Sequence, residues 1–492
     1  MSDPPPPRTL WIAALAASHL VAYLLGIWFP IGSSPGAPTA AARVTPDPPP
    51  VVIEGDFPEV QALLSRDTVR IANALAAFDR RWRPGDASIL VEAQRFATDR
   101  RAIRGISELL AGKLGVDHGR DPDRWYEAIW EQTDPPGGDY AAFQRWFYAR
   151  QIDESFARYF GPERASTIRL DEIRWGGVRR DGIPPLADPV MLAASEADYL
   201  ADSDVVFGIA LGGEAKAYPK RILAWHEMVK DDIGGRRIAG VYCTLCGSMI
   251  GYDATDAAGT RHTLGTSGFL YRSNKLMYDH ETYSLWSTLR GEPVVGPLVG
   301  QGIRLDTVPV VTTTWGQWRR RHPGTTVLSL QTGHDRNYDE GVAYRDYFAT
   351  DRLMFTVPRS ERLRESGLAN KAELLIVRAD GNADPAAGTP LAISKRFLAR
   401  HPVFEERLDR TAFVVVTDPS GASRVYRTDD AAGSPELVSL DGNTVVDADG
   451  GRWAMTEESL AAADGTTLPR LPSHEAFWFA WLAQNPETRL ID

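Results

Sequence analysis

The latter part of this chain carries one stretch of sequence twice. Ala217-Tyr-Pro-Lys220-Arg221-Ile-Leu223-Ala224-Trp-His226 aligns without a gap on Ala392-Ile-Ser-Lys395-Arg396-Phe-Leu398-Ala399-Arg-His401, with six identities in ten positions. Further on, Trp315-Gly-Gln-Trp318 with Pro323 and Thr325 matches Trp478-Phe-Ala-Trp481 with Pro486 and Thr488 at equal internal spacing. Two matches in the same order imply two related halves, about 180–330 and 355–492, and self-similarity of this kind fixes the architecture before any local reading does. Each half is expected to open with a strand (Val205 to Ala210; Leu374 to Arg378) and pass into a short helix at Lys220–Trp225 or Lys395–Arg400. β-rich sequence and a closing aromatic helix should follow.

The duplication concentrates the chemistry. The chain has two cysteines, Cys243 and Cys246, in Tyr242-Cys-Thr-Leu-Cys246-Gly247. A single close pair reads as one reactive or metal-binding site, not a disulfide framework. Carried across at the offset of the histidines, they fall opposite Asp418 and Gly421, so the second half keeps a scaffold without thiols. The flanks Ile238 to Tyr242 and Ser248 to Tyr252 look like strands, which puts the pair in a hairpin turn that Gly247 permits. That resembles a metal knuckle more than the helix N-terminus of a thioredoxin-type dithiol. Further donors in the first half are His226, Met277 and His280, with His262 a weaker candidate. Soft thiolate and thioether ligands favour copper, two thiolates with two imidazoles suit zinc, and a redox disulfide without metal is the third alternative. His226 is also an acid–base candidate and Glu227 a general base. Against these stand plainer roles: Met277 as core packing, His262 and His280 as solvated side chains, and His226 as a structural histidine, since His401 matches it where there are no cysteines to serve.

The N-terminal part has a different character. From Leu10 to Ile31 the chain runs 22 residues without a charged side chain, enough for a helix to span the roughly 30 Å hydrocarbon core. Arg8 precedes this span and the next basic residue is Arg43, which places the N-terminus in the cytoplasm. A single-pass inner-membrane anchor (1–32) is preferred to a cleavable signal peptide because the apolar run is long and Ala40-Ala41-Ala42 lies far beyond it. The Pro/Ala-rich segment 33–54 is a tether, and the bulk of the chain is expected in the periplasm. Segment 55–165 reads as a helical module that resembles a short stack of HEAT repeats. Asp67-Thr68 caps Val69 to Phe78, helical spacing runs from Ile89 to Leu114, Gly115 closes it, and Trp125, Tyr126, Ile129, Trp130, Phe143, Trp146 and Phe147 supply core aromatics. At 54.2 kDa the chain should hold more than one domain. A net charge of −11 has the wrong sign for tracking a phosphate backbone, so nucleic acid is not an expected partner.

Asp181-Gly-Ile-Pro184, Ala217-Tyr-Pro219, Trp225-His226-Glu227, Tyr242-Cys-Thr-Leu-Cys246-Gly247, Ser267-Gly268, Tyr271, Met277-Tyr-Asp279, Ser284-Leu-Trp286 and Gly296-Pro297 follow one another in order. Over about 175–490 this series resembles the bacterial DUF3179 family, a domain of unknown function. Members typically read Cys-Pro-Leu-Cys-Gly at the knuckle. Thr244 replaces that proline here, which removes a turn constraint and no ligand. The resemblance implies where the site lies and nothing about its chemistry. Other motifs are poorly placed: the one Gly-x-Ser-x-Gly, Gly32 to Gly36, sits in the tether without strand-to-helix context.

The expectation is therefore an α+β, membrane-anchored protein with a helical module at 55–165, a first repeat at 175–330 and a cysteine-free second repeat at 355–492. Its expected activity is a copper- or thiol-dependent oxidoreductase on a small-molecule or protein substrate. A structural zinc or metal-delivery protein is the alternative.

Overall fold

Aspartates set the helix starts in the N-terminal region of the computed structural model, which describes residues 53, 55–83, 85–358, 361–378, 390–429 and 435–492. Asp67 accepts from the backbone N–H of Val69 and Arg70, and Asp121 from those of Asp123 and Arg124, with Pro122 at the first helical position. Six helices result: Pro58–Leu63, Thr68–Arg80, Asp86–Phe96, Arg100–Leu114, Pro122–Gln132 and Gly138–Gln151. The periodic stretch from Ile89 to Leu114 is two helices, not one. Ala97 is extended and Asp99 caps a new start through the N–H of Arg101, so local capping overrides the continuous apolar pattern. Gly115 closes the second helix in the left-handed region (φ 72°).

These helices share one core with a sheet. Leu90, Trp125, Ile129, Phe143 and Phe147 pack in the same apolar cluster as Phe269, Tyr271 and Tyr278. The sheet is antiparallel throughout, with strands Ile173–Trp175, Leu264–Tyr271, Asn274–Asp279, Leu285–Ser287 and Glu292–Val295 side by side. Asp279 anchors it. Its buried carboxylate accepts from the N–H and hydroxyl of Thr282, the N–H of Ser284 and the indole of Trp286. Thus Met277-Tyr-Asp279 and Ser284-Leu-Trp286 form one fully satisfied hydrogen-bond knot.

Two further sheets have the same construction. In the first half Val311–Thr314, Val205–Leu211, Glu214–Pro219 and Thr326–Leu328 lie in that order; in the second, Ser473–Phe477, Glu373–Val377, Leu391–Ser394 and Arg489–Ile491 do. Both run antiparallel, antiparallel, then parallel. The registers agree: Val206 pairs with Pro219 and Leu374 with Ser394, while Val327 pairs with Ala217 and Leu490 with Ala392. The closing helices Trp315–Arg321 and Trp478–Leu482 are tied down alike, with Trp318 Nε1 donating to Thr325 Oγ1 at 2.9 Å and Trp481 Nε1 to Thr488 Oγ1 at 2.8 Å. After the short helices Lys220–His226 and Lys395–Arg400, each half forms a three-stranded antiparallel meander. The first is Met228–Ile233, Arg236–Cys243 and Ser248–Asp253; the second is Val403–Leu408, Thr411–Thr417 and Ser423–Arg427.

The fold is thus mixed α+β, with helices first and several sheets after. Among the described residues no helix is long and apolar enough to cross a membrane. The expected anchor at 1–32 and, except for Ile53, the tether at 33–54 lie outside the described residues.

Candidate thiol centre

The strand Arg236–Cys243 turns into Ser248–Asp253 through a 3-10 turn at Thr244–Cys246, closed by Gly247 at φ 61°. Cys243 pairs with Ser248 across the hairpin. Glycine is required at 247 for two reasons. The left-handed backbone disfavours other residues, and a Cβ there would come within 2.7 Å of the ring of Phe477 from the other half.

Both thiols are free and buried, with their sulfurs 2.7 Å apart. Two thiolates on one zinc, at about 2.3 Å each in tetrahedral geometry, would stand roughly 3.8 Å apart, whereas a disulfide needs about 2.05 Å. The observed spacing is closer to a dithiol about to bond than to half of a metal site. Asn274 Nδ2 donates to Cys246 Sγ at 3.1 Å, and Cys246 Sγ donates to Ser273 O at 3.4 Å. Burial pushes the Cys246 thiol well above the usual range, Cys243 pushes in the same direction, and the Asn274 donor pulls it back.

Next to the pair sits a buried cation. Lys275 Nζ donates to Glu227 O at 3.0 Å and lies 3.3 Å from Glu227 Oε2. Tyr344 Oη donates to Glu227 Oε1 at 3.3 Å. Burial lowers the Lys275 pKa, opposed first by Glu227 and then by Cys243, so this ammonium couples the carboxylate to the thiol. Glu227 reaches this position because it ends the helix Lys220–His226 in the left-handed conformation (φ 54°) and its carbonyl accepts from Tyr242 N. Tyr347 Oη closes the turn from above by donating to Leu245 O at 2.7 Å. A pocket of about 50 Å³ adjoins Glu227, Leu245, Lys275, Tyr344 and Met354. Four buried hydroxyls in and around the turn, on Tyr242, Thr244, Ser248 and Ser273, have no hydrogen-bond partner among the described residues.

Of the expected site residues, the structure brings together Cys243, Cys246 and Glu227. His226 has both ring nitrogens engaged, Nδ1 with Pro184 O at 2.8 Å and Nε2 with Tyr338 Oη at 2.6 Å. Met277 is in the apolar cluster around Trp286 and Trp478, a different cluster from that of the cysteines. His280 stacks on Tyr278, and His262 pairs with Asp256 at 2.9 Å. Among the described residues no three or more His, Cys, Asp or Glu side chains are placed to hold a metal ion. The structure places His226, Met277, His280 and His262 in other environments than the two cysteines. Sequence reasoning missed Asn274, Lys275 and Tyr344. The available signal was a polar pair, Asn274-Lys275, leading directly into the apolar Leu276-Met277, and both side chains are buried with the rest of the strand.

The constant offset of the histidines used to match the halves also needs correction by one residue beyond the turn. Val241 pairs with Ile250, and Val416 pairs with Arg424. The second turn is thus one residue shorter, which puts Gly421 (φ 82°) opposite Gly247 and leaves Cys246 without a strict counterpart. Asp418 does match Cys243. It is buried and ion-paired with Arg424 at 2.9 Å, and Arg424 also pairs with Glu457.

No curated protein and no solved structure matches the chain. The model of a protein family of unknown function, DUF3179, matches residues 180–488, well over half of the 492, and covers both meanders and the thiol turn. The chain belongs to the DUF3179 family.

Proposed function

We propose that this protein is a thiol-dependent oxidoreductase in which Cys243 and Cys246 cycle between dithiol and disulfide. The observation that carries the reading is the 2.7 Å approach of the two sulfurs beside the Lys275–Glu227 pair. A thiolate is the reactive form, and a neighbouring cation stabilises it. Cys243 is assigned as the nucleophile because burial and the neighbouring sulfur hold Cys246 in its protonated form. The Cys243 thiolate attacks one sulfur of a substrate disulfide, and the substrate's other sulfur leaves and takes up a proton. Cys246, once deprotonated, then displaces the first substrate sulfur, so a Cys243–Cys246 bond forms and two electrons pass to the substrate. Burial of both thiols under Tyr344 and Tyr347 restricts the substrate to a small molecule. Glu227 acts through Lys275 as a positioning residue.

The repeated sheet orders and registers support two copies of one unit, the first carrying the thiols. Placement in the periplasm on a single inner-membrane anchor rests on the uncharged run from Leu10 to Ile31. It is compatible with a stable disulfide form.

The test is redox titration of the full chain in glutathione buffers with mass readout, alongside anaerobic metal analysis. A reversible loss of two hydrogens, absent in Cys243→Ser and Cys246→Ser, is expected. Thiols that stay reduced throughout, together with stoichiometric copper or zinc lost in those variants, would overturn the proposal in favour of a metal centre.

A further inference from the structure

A pocket of about 250 Å³ lies on the seam between the halves, walled by matched positions. Thr313 pairs with Val206 and Val206 with Pro219; Ala476 pairs with Leu374 and Leu374 with Ser394. Val205 therefore matches Glu373, Lys220 matches Lys395 and Thr312 matches Glu475, and all six line the pocket. In the second half Lys395 is ion-paired with Glu475. In the first half the matching acceptor is Thr312, so Lys220 lacks the carboxylate its counterpart has, and its ammonium rests over the Phe348 ring at 4.9 Å from the centroid. Glu373, standing where the first half has Val205, makes no ion pair within 4.0 Å among the described residues.

One cation and one anion, contributed by opposite halves, thus face the same small space with no ion pair within 4.0 Å among the described residues, while the fields of Lys220 and Glu373 reach the Lys395–Glu475 pair beside them. Tyr242 also lines it. This side chain is 1% exposed and its hydroxyl has no protein partner. An unsatisfied buried hydroxyl costs about 1–3 kcal/mol, a cost that a polar ligand atom relieves. The volume falls below the roughly 300–1,000 Å³ of pockets that hold drug-sized ligands, which selects a small molecule.

We propose that the seam pocket binds a small zwitterion of the α-amino-acid type, with its carboxylate on Lys220 and its ammonium on Glu373. Thr312 and Tyr242 supply the neutral hydrogen bonds. Gly247 and Phe477 also line the pocket, so it adjoins the thiol turn, while binding there does not require the cysteines to react.

The test is calorimetric titration of the full chain with the twenty standard L-α-amino acids, each also supplied as its amide and its N-acetyl derivative. At least one free amino acid should bind with a dissociation constant below about 1 mM, and blocking either charged end should weaken it at least tenfold. Lys220→Met and Glu373→Gln should each weaken binding at least tenfold. Thr312→Glu, which gives Lys220 the counter-ion found in the second half, should abolish binding. Circular dichroism and a thermal melt would establish that each variant is folded. No binding by any free amino acid, full retention of binding in folded Lys220→Met or Thr312→Glu, or equal binding of the N-acetyl form would overturn the proposal.

Discussion

Asn274 Nδ2 donates to Cys246 Sγ at 3.1 Å. This neutral contact favours the thiolate of a sulfur that burial disfavours. Asn274→Ala should therefore raise the apparent pKa for alkylation of Cys246, measured by iodoacetamide labelling against pH in a Cys243→Ser background. An unchanged or lowered profile would show that the bond does not act on the thiolate.

Lys275 and Glu227 form a buried ion pair. Removing one partner of such a pair strands the other charge, at a cost of about 3–5 kcal/mol. Lys275→Met and Glu227→Gln should each lower urea stability by that order, and the double variant should recover most of the loss. Strictly additive losses would mean that the two side chains are not coupled.

His226 is held neutral. Burial lowers its pKa from 6.5 to about 4, opposed by the Pro184 carbonyl and assisted by His334 and Arg336. A depressed folded-state pKa gives stability that is fully present above the unfolded value and lost as pH falls toward the folded one. The shift corresponds to about 3 kcal/mol. Between pH 7 and 4 the wild type should lose about that much relative to His226→Gln, by urea unfolding at each pH. Parallel curves for the two proteins would contradict the assignment.

Gly247→Ala meets both a left-handed backbone and the Phe477 ring. A loss of about 2–4 kcal/mol is expected, and adding Phe477→Leu should restore part of it. If Phe477→Leu gives no relief, the contact between the halves at this turn is not the cause.

Thr325 and Thr488 accept matched indole hydrogen bonds. Thr325→Val and Thr488→Val should each cost about 1–3 kcal/mol and agree within about 0.5 kcal/mol. A cost confined to one half would show that the two closing helices do not bear equal weight.

Much of this arrangement was legible because it is local or repeated. The Trp–Thr spacing is the span of one hydrogen bond across a closing helix, so it survives in sequence as a fixed offset. Asp67 and Gly115 announce helix ends because capping acts within a few residues. The thiol hairpin was readable from its β-rich flanks. The environment of the sulfurs was not, because Lys275, Asn274 and Tyr344 come from distant segments, and only strand pairing and tertiary packing bring them together. Met277 and His280 look like donors in sequence, yet Met277 packs in the apolar cluster with Trp286 and His280 stacks on Tyr278. The match of Cys246 with Gly421 failed because a single-residue deletion in a turn leaves flanking strands in register while moving every turn position.

The buried Arg424 sets a limit on how the second half can be altered. Its buried guanidinium pairs with Asp418 and Glu457, and Glu457 is shared with Arg321 and Arg470. Grafting a cysteine onto position 418 would strip away one of its two carboxylates and leave charge to be absorbed by local rearrangement, so the spare hairpin cannot be retrofitted as a second reactive turn unless the arginine is exchanged with it.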